Sequence, residues 1–145
     1  MGRLIASGLG VGFCPVAPGT AGSLAALLAG ALMMQGPGWL LPVAAVLACV
    51  GGYAATRAAV TEPDADPGWV VIDEVAGQWI ALLGLAGLSV PGLVTAFIGF
   101  RLLDILKPGP IGWADRQPGA IGIMADDILA GAIVALALAA ARPLF

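Results

Sequence analysis

Acidic and basic side chains are rare in this chain, and the chemistry it could perform depends on where they cluster. The sequence has nine acidic and six basic residues and no histidine. The candidates are two adjacent acidic pairs and one acid flanked by two cations: Asp73-Glu74, Asp126-Asp127 and Arg101/Asp104/Lys107. Because Arg101, Asp104 and Lys107 follow one another at intervals of three, they share one face of a helix. Clustered carboxylates suit a hard divalent cation such as Mg²⁺, and cations beside them suit a phosphate group.

The composition excludes several classes of protein. Charged residues make up 10% and hydrophobic residues 60% of the 145 residues, whereas a soluble domain carries about 25% charge. The net charge of −3 gives no reason to expect a nucleic-acid partner. The single lysine, Lys107, does not follow a glycine, so no phosphate-binding P-loop is present. Cys14 and Cys49 are isolated, which argues against a disulfide framework. A single membrane-embedded domain over residues 1–145 is therefore predicted.

Charge-free stretches predict about five short helices. The first two cover residues 20–34 and 39–59, and the last covers 128–141. The run 75–100 is interrupted at Ser89-Val90-Pro91-Gly92, so it is either one kinked helix or a hairpin of two. The hairpin leaves Arg142 as the one basic residue on its side of a membrane, whereas a single helix divides the basic residues evenly. Since basic residues favour the cytoplasmic side, the hairpin is preferred.

The predicted fold class is thus all-α, a small polytopic membrane helix bundle with its N-terminus in the cytoplasm and a short C-terminus outside. This topology places all nine acids on the cytoplasmic side. The expected positions are the start of the third helix for Asp73-Glu74, the end of the fourth for Asp104, and the start of the fifth for Asp126-Asp127. Helices of about 15 residues span roughly 22 Å, less than a bilayer core of about 30 Å. We therefore expect the active site at the cytoplasmic interface, at the level of the lipid headgroups.

A glycine-rich loop, residues 7–20, leads into the first predicted helix. Backbone N–H groups at a helix N-terminus after such a loop suit an anion, with Gly19, Thr20 and Ser23 as candidate contacts. The alternative is that these glycines only allow helices to approach closely. A metal, a phosphate and a lipid interface together indicate phosphoryl chemistry on a phospholipid.

Five motifs follow one another along the chain: Ala-Pro-Gly-Thr-Ala-Gly-Ser-Leu at 17–24, Val-Ile-Asp-Glu-Val-Ala-Gly-Gln at 71–78, Phe-Arg-Leu-Leu-Asp-Ile-Leu-Lys-Pro at 100–108, Trp-Ala-Asp-Arg at 113–116, and Gly-Ala-Ile-Gly-Ile-Met-Ala-Asp-Asp-Ile-Leu-Ala-Gly at 119–131. In this order they resemble the motifs of the phosphatidylglycerophosphatase A family. The resemblance runs almost the full chain. It implies a Mg²⁺-dependent enzyme of the bacterial inner membrane that converts phosphatidylglycerophosphate to phosphatidylglycerol and inorganic phosphate.

The resemblance and the charge pattern together assign a role to each candidate side chain. Two cations are expected to clamp the phosphate, and a carboxylate, Asp73 or Asp104, must act as the base because histidine is absent. The predicted sets are the metal ligands Glu74, Asp126 and Asp127, the catalytic residues Asp73, Arg101, Asp104 and Lys107, and the substrate-binding residues Gly19, Thr20, Ser23, Asp115 and Arg116.

Each of these residues also has a simpler interpretation. Asp73 or Asp126 could be a helix N-cap, and Asp104 could be only a partner of a neighbouring cation. Lys107 could extend toward the lipid interface. Asp115-Arg116 could lie in a solvated loop, and the same interpretation applies to Glu62, Asp64 and Asp66. Gln78 could form an interhelical hydrogen bond.

Other functional classes fit less well. A phosphatidyltransferase of the CDP-alcohol type would need an Asp-Gly-x-x-Ala-Arg motif, which this sequence lacks. A cation-coupled transporter would place its acids at the membrane midplane, not at helix ends. A non-catalytic subunit of a membrane assembly remains an alternative, and the sequence does not indicate an oligomeric state.

Overall fold

The computed structural model describes residues 1–62 and 67–141, and this part of the chain is helical with no strand. The helices are α1 (Gly2–Ala6), α2 (Pro18–Met33), α3 (Leu40–Ala59), α4 (Ile72–Leu82), α5 (Val90–Leu106), α6 (Pro110–Asp115) and α7 (Gly119–Ala140), with a short 3₁₀ turn at Val11–Phe13. The predicted all-α class is confirmed. The loop prediction for Asp64 and Asp66 and the position of Arg142 fall outside the described residues.

The predicted hairpin is present as α4 and α5. The chain leaves α4 at Leu82 and begins α5 at Val90. Ser89 caps α5, because its hydroxyl accepts a hydrogen bond from the Gly92 N–H at 3.2 Å. Pro91 lies in the first turn of α5, where its missing N–H is not needed. The Ser-Val-Pro-Gly segment therefore starts a new helix and does not merely kink an existing one.

The predicted start of the last helix was wrong. Helix α7 begins at Gly119, just after Pro118, and places Asp126-Asp127 about two turns inside the helix. The prediction treated charges as helix boundaries, but these two carboxylates point into a cavity and do not interrupt the helix. Two short helices, α1 and α6, were also not predicted.

Helix α7 packs closely against α4. A Cβ added at Gly131 would overlap the carbonyl oxygen of Gly77, and one added at Gly77 would reach Phe100 on α5 and the Asp127 carbonyl oxygen on α7. Gly84 meets the backbone of α7 at Ala135 in the same way. Small residues thus bring the two backbones together, as they do in membrane helix pairs. This contact carries Asp126-Asp127 to the start of α4.

The outer faces of the bundle are apolar. Leu24, Leu28 and Leu32 form an exposed stripe on α2, and α5 exposes a similar stripe that includes Val94 and Ile98. By length and composition, α3 and α7 are long and apolar enough to cross a membrane. These features fit a small helical membrane protein.

Candidate active site

One cavity of about 560 Å³ is lined by the charged residues predicted to be functional. It lies among the first turns of α2 and α4, the end of α5, α6 and the first half of α7. Nine charged side chains line it: Asp73, Glu74, Arg101, Asp104, Lys107, Asp115, Arg116, Asp126 and Asp127. Six are acids and three are cations, so the lining carries a formal excess of three negative charges.

Helix α4 contributes Asp73 and Glu74 from its first turn. The N-cap position belongs to Val71, so the N-cap alternative does not apply to Asp73. Asp73 is buried, and its Oδ1 accepts a hydrogen bond from the Glu74 N–H at 3.0 Å. Glu74 faces α2, where a side chain at Gly19 would overlap its Oε1. Glycine at position 19 therefore lets the N-terminus of α2 approach the Glu74 carboxylate.

Helix α5 contributes Arg101 and Asp104, which pair with each other across one turn. The Nη1 of Arg101 also lies 3.8 Å from Glu74 Oε1 and 3.4 Å from the hydroxyl of Ser23. Ser23 is fully buried and donates its own hydrogen bond to the Gly19 carbonyl at 2.8 Å. Arg101 thus contacts groups on α2, α4 and α5, and its side chain lines the cavity.

Lys107 ends α5 in a left-handed conformation, with φ of 46°, directly before Pro108. Its ammonium group pairs with Asp115 on α6 and donates to Asp126 Oδ2 on α7 at 2.7 Å. Burial alone would lower the pKa of Lys107, but the hydrogen bonds and charges of these two carboxylates outweigh it and raise the pKa above the ordinary lysine value. Lys107 therefore stays protonated and points into the site, not toward the lipid interface.

Asp126 and Asp127 lie inside α7, and their exposed fractions are only 4% and 2%. Neither caps a helix, which removes the N-cap alternative for Asp126. Buried charges in an apolar helix are unfavourable unless they are paired or bind a cation. Asp126 has one such partner in Lys107.

The carboxylates form two groups that could hold a metal ion. Oxygens of Asp73, Glu74 and Asp127 lie within 4.8 Å of one another, and so do oxygens of Asp104, Asp126 and Asp127. The predicted metal ligands Glu74 and Asp126 thus fall in different groups, and Asp127 belongs to both. Glu74 Oε2 and Asp126 Oδ1 are buried and have no hydrogen-bond partner within residues 1–62 and 67–141. An oxygen-rich donor set with buried free oxygens fits a hard divalent cation such as Mg²⁺.

The predicted substrate contacts are placed unevenly. Gly19 lines the cavity, whereas Thr20 is exposed and is not part of the cavity lining. Ser23 also lies outside the lining, and its hydroxyl accepts a hydrogen bond from Arg101. Most of the glycine-rich loop lies away from the cavity, where a side chain at Gly12 would overlap the Trp69 backbone. The close-approach interpretation therefore describes that part of the loop.

Helix α6 covers one side of the cavity and was missed in the sequence. It carries Asp115, and Arg116 follows it at the cavity wall with no ion pair among the described residues. Pro110 in its first turn, after Gly109, was the available signal for a helix start. Residues 117–119 also line the cavity without having been predicted.

Gln78 lies one turn after Glu74 and is fully buried. The structure gives neither its amide nitrogen nor its amide oxygen a hydrogen-bond partner among the described residues, so the alternative interpretation of Gln78, an interhelical hydrogen bond, is not supported there. The neighbouring Trp79 instead ties α4 to α2, donating to the Ala26 carbonyl at 2.9 Å.

Comparisons with known proteins agree with the residues in this cavity. The sequence model of the family Phosphatidylglycerophosphatase A matches residues 4–142. Phosphatidylglycerophosphatase A of Escherichia coli K12 is 42% identical over 135 residues, which cover 92% of this chain and 78% of that protein. The protein of the same name from Haemophilus influenzae Rd is 37% identical, covering 88% of this chain and 80% of its own length.

A third relative, from Bacteroides thetaiotaomicron, is 36% identical over 96% of this chain and 92% of its own, and carries the provisional name phosphatidylinositol-3-phosphatase. No solved structure matches the chain. The match spans nearly the whole chain, including every charged motif of the cavity. Because the matched family is a family of enzymes, the transporter and the non-catalytic subunit are rejected as alternatives. This chain belongs to the phosphatidylglycerophosphatase A family and is a phosphatase.

Proposed function

We propose that this enzyme hydrolyses the terminal phosphate of phosphatidylglycerophosphate, yielding phosphatidylglycerol and inorganic phosphate, as a step of phospholipid biosynthesis. The observation that carries the proposal is one cavity in which six carboxylates lie beside Arg101 and Lys107, near apolar outer helix faces. The names of the Escherichia and Haemophilus relatives support the choice of substrate.

The cations of the cavity bind the phosphate in this proposal. A phosphate monoester carries about −1.5 to −2 charges near pH 7, and charge-assisted hydrogen bonds to Arg and Lys are among the strongest available. Arg101 extends into the cavity from α5, and Lys107 lies between Asp115 on α6 and Asp126 on α7. Both are already held by carboxylates, so little conformational freedom is lost when a phosphate binds.

Magnesium is the proposed cofactor. Glu74, Asp126 and Asp127 would supply metal ligands, since Glu74 and Asp126 each retain a buried oxygen with no hydrogen-bond partner in the described part of the chain. Bound Mg²⁺ would neutralise the charge on the phosphate oxygens. The same acids would otherwise repel an anionic substrate, because acids outnumber cations in the cavity lining.

The proton of the attacking water must be accepted by a carboxylate, because the chain has no histidine. Asp73 and Asp104 are the candidates, one in each carboxylate group. As the water oxygen bonds to phosphorus and the ester bond breaks, the carboxylate takes the water proton. The resulting carboxylic acid then gives this proton to the departing glycerol oxygen, which leaves as an alcohol, and the carboxylate is restored.

The apolar faces of the bundle support a place in the bacterial inner membrane. The stripes on α2 and α5 would contact lipid, as would the outer faces of α3 and α7. The proposed topology puts the N-terminus and the cavity on the cytoplasmic side and the C-terminus in the periplasm. A reporter fused to the C-terminus should give a periplasmic signal, and a cytoplasmic signal would contradict this topology.

Phosphate release from phosphatidylglycerophosphate by the purified full chain in detergent tests the function. We expect release with Mg²⁺ and none with EDTA. Glu74→Gln should abolish release, while Glu62→Gln, which changes an exposed acid outside the cavity, should not. Phosphatidylinositol 3-phosphate belongs in the same assay, and faster release from it than from phosphatidylglycerophosphate would contradict the proposed substrate. No release with Mg²⁺ from either lipid would contradict the activity.

A further inference from the structure

Each carboxylate group contains one acid that lies beside a cation. In the first, Glu74 Oε1 lies 3.8 Å from Arg101 Nη1, while its Oε2 is buried and has no hydrogen-bond partner among the described residues. In the second, Asp126 Oδ2 accepts a hydrogen bond from Lys107, while its Oδ1 is buried and likewise has no partner in that part of the chain. Each group thus has one buried carboxylate oxygen left without a partner, although Arg101 also pairs with Asp104 of the second group. An orphaned buried carboxylate oxygen is unfavourable unless a cation or a proton satisfies it.

Asp127 connects the two groups. It is 2% exposed, and a carboxylate oxygen of Asp127 lies within 4.8 Å of oxygens of Asp73 and Glu74 in the first group and of Asp104 and Asp126 in the second. A carboxylate has two oxygens and can bind two ions at once. Metal-dependent phosphatases and nucleases often use such a pair of ions, held about 3.5–4 Å apart.

The charge of the cavity favours two ions over one. Its lining has six acids and three cations, a formal excess of three negative charges. With one divalent cation bound, the net charge of the cavity lining would still be negative, and it would repel the anionic substrate. Two would make it slightly positive, which is the sign that binds a phosphate monoester.

We propose that the cavity binds two divalent cations that share Asp127, one with Glu74 and the other with Asp126. Two carboxylates per ion are what Mg²⁺ commonly takes from a protein, with water and phosphate oxygens completing its shell. Asp73 and Asp104, the third members of the two groups, remain beside the ions as the candidate bases. The inference builds on the proposed Mg²⁺-dependent phosphatase, but its test does not use activity.

The test counts ions on the purified full chain in detergent. Mn²⁺ replaces Mg²⁺ because it takes the same oxygen ligands and is visible by electron paramagnetic resonance. Equilibrium dialysis with Mn²⁺ alone, and with Mn²⁺ plus inorganic phosphate, gives the stoichiometry. We expect two Mn²⁺ per chain in at least one of these conditions, with a spin-coupled spectrum.

The variants separate the two sites. Glu74→Gln and Asp126→Asn should each leave one uncoupled ion, and Asp127→Asn should weaken both by about tenfold or more. Glu62→Gln should keep two ions, and circular dichroism should confirm that every variant is folded. One Mn²⁺ per chain in both conditions, or full retention of one site in Asp127→Asn, would overturn the inference.

The proposed function and this inference fail in different ways. If two coupled Mn²⁺ ions bind but neither lipid is hydrolysed, the metal pair stands and the proposed activity is wrong. If hydrolysis requires Mg²⁺ but only one Mn²⁺ binds with or without phosphate, the activity stands and the shared ligand is wrong.

Discussion

Helices α3 and α7 are similar by length and hydropathy but differ in what they carry. Both are long and apolar enough to cross a membrane. Helix α3 has no acid, and Thr56 is the polar side chain that it buries. Helix α7 buries Asp126 and Asp127 in its first half. Within the most apolar 18-residue stretch of each helix, 44% of the residues of α7 and 33% of those of α3 are buried.

The difference shows that hydropathy identifies a helix without saying what the helix does. Two adjacent carboxylates inside an apolar helix are unfavourable unless neighbouring groups compensate them. Around α7 that compensation comes from Lys107, and from any cation that the carboxylate groups bind. Helix α3 buries no charged side chain that would need such compensation. The proposed site is therefore formed by α7 and its neighbours, while α3 supplies an apolar support for α1 and α4.

The largest expected effect comes from removing the shared acid of α7. Asp127→Asn should lower kcat/KM for phosphatidylglycerophosphate by about 10³-fold, because electrostatic stabilisation in a water-poor site is a dominant catalytic effect. The matched change in α3 is Thr56→Val, which removes a buried hydroxyl that has no hydrogen-bond partner among the described residues. Its activity should stay within about twofold of the wild type.

Steady-state phosphate release under saturating Mg²⁺ checks both variants. Wild-type activity in Asp127→Asn would remove the contrast between the two helices. A large loss in Thr56→Val would show that α3 also shapes the site.

A cation beside each helix gives the next contrast. Lys107→Gln should lower kcat/KM by about 10²-fold, since it removes a phosphate-binding charge and leaves Asp126 without its partner. Arg57→Gln removes an exposed cation in the last turn of α3 and should leave kcat/KM unchanged. Separate kcat and KM values distinguish binding from chemistry, and equal losses in both variants would indicate a general charge effect.

Local signals in the sequence were sufficient for much of this fold. Ser89-Val90-Pro91-Gly92 marked the break between α4 and α5, and the distribution of basic residues favoured a hairpin over one kinked helix. The position of Asp73-Glu74 in the first turn of α4 was also predicted correctly. The start of α7 was predicted too late, because charges were taken as helix ends. Helix α6 was missed because six residues containing proline and glycine resemble a loop.

The arrangement of the carboxylates could not be predicted, because it depends on tertiary packing. The sequence predicted Glu74, Asp126 and Asp127 as a single set of metal ligands, but the structure groups Asp127 with Asp73 and Glu74 and also with Asp104 and Asp126. That grouping follows from the close approach of α4 and α7 at Gly77 and Gly131. Many glycines in the chain have no such contact, so their sequence positions alone did not single out these two.

A smaller effect, on stability, tests that close approach. Gly131→Ala places a Cβ against the Gly77 carbonyl oxygen, a backbone atom that cannot move aside without shifting a helix. We expect the free energy of unfolding to fall by about 1–3 kcal/mol. Thermal unfolding in detergent, followed by circular dichroism, should show a lower midpoint than the wild type, together with reduced activity because the carboxylate groups are displaced. An unchanged midpoint would mean that the two backbones have room to separate.

The smallest effect is expected at the matched glycine of α3. Gly51 has no atom within 4 Å of the position that a Cβ would occupy, so Gly51→Ala meets open space. Alanine restricts the unfolded chain and favours a helix, which should raise the free energy of unfolding by about 0.5–1 kcal/mol. The same unfolding experiment should give a slightly higher midpoint, with phosphate release unchanged. If Gly51→Ala instead lowered the midpoint as much as Gly131→Ala, the outer face of α3 would have to be packed against another surface, and α3 could no longer be described as a support that contacts only lipid on that side.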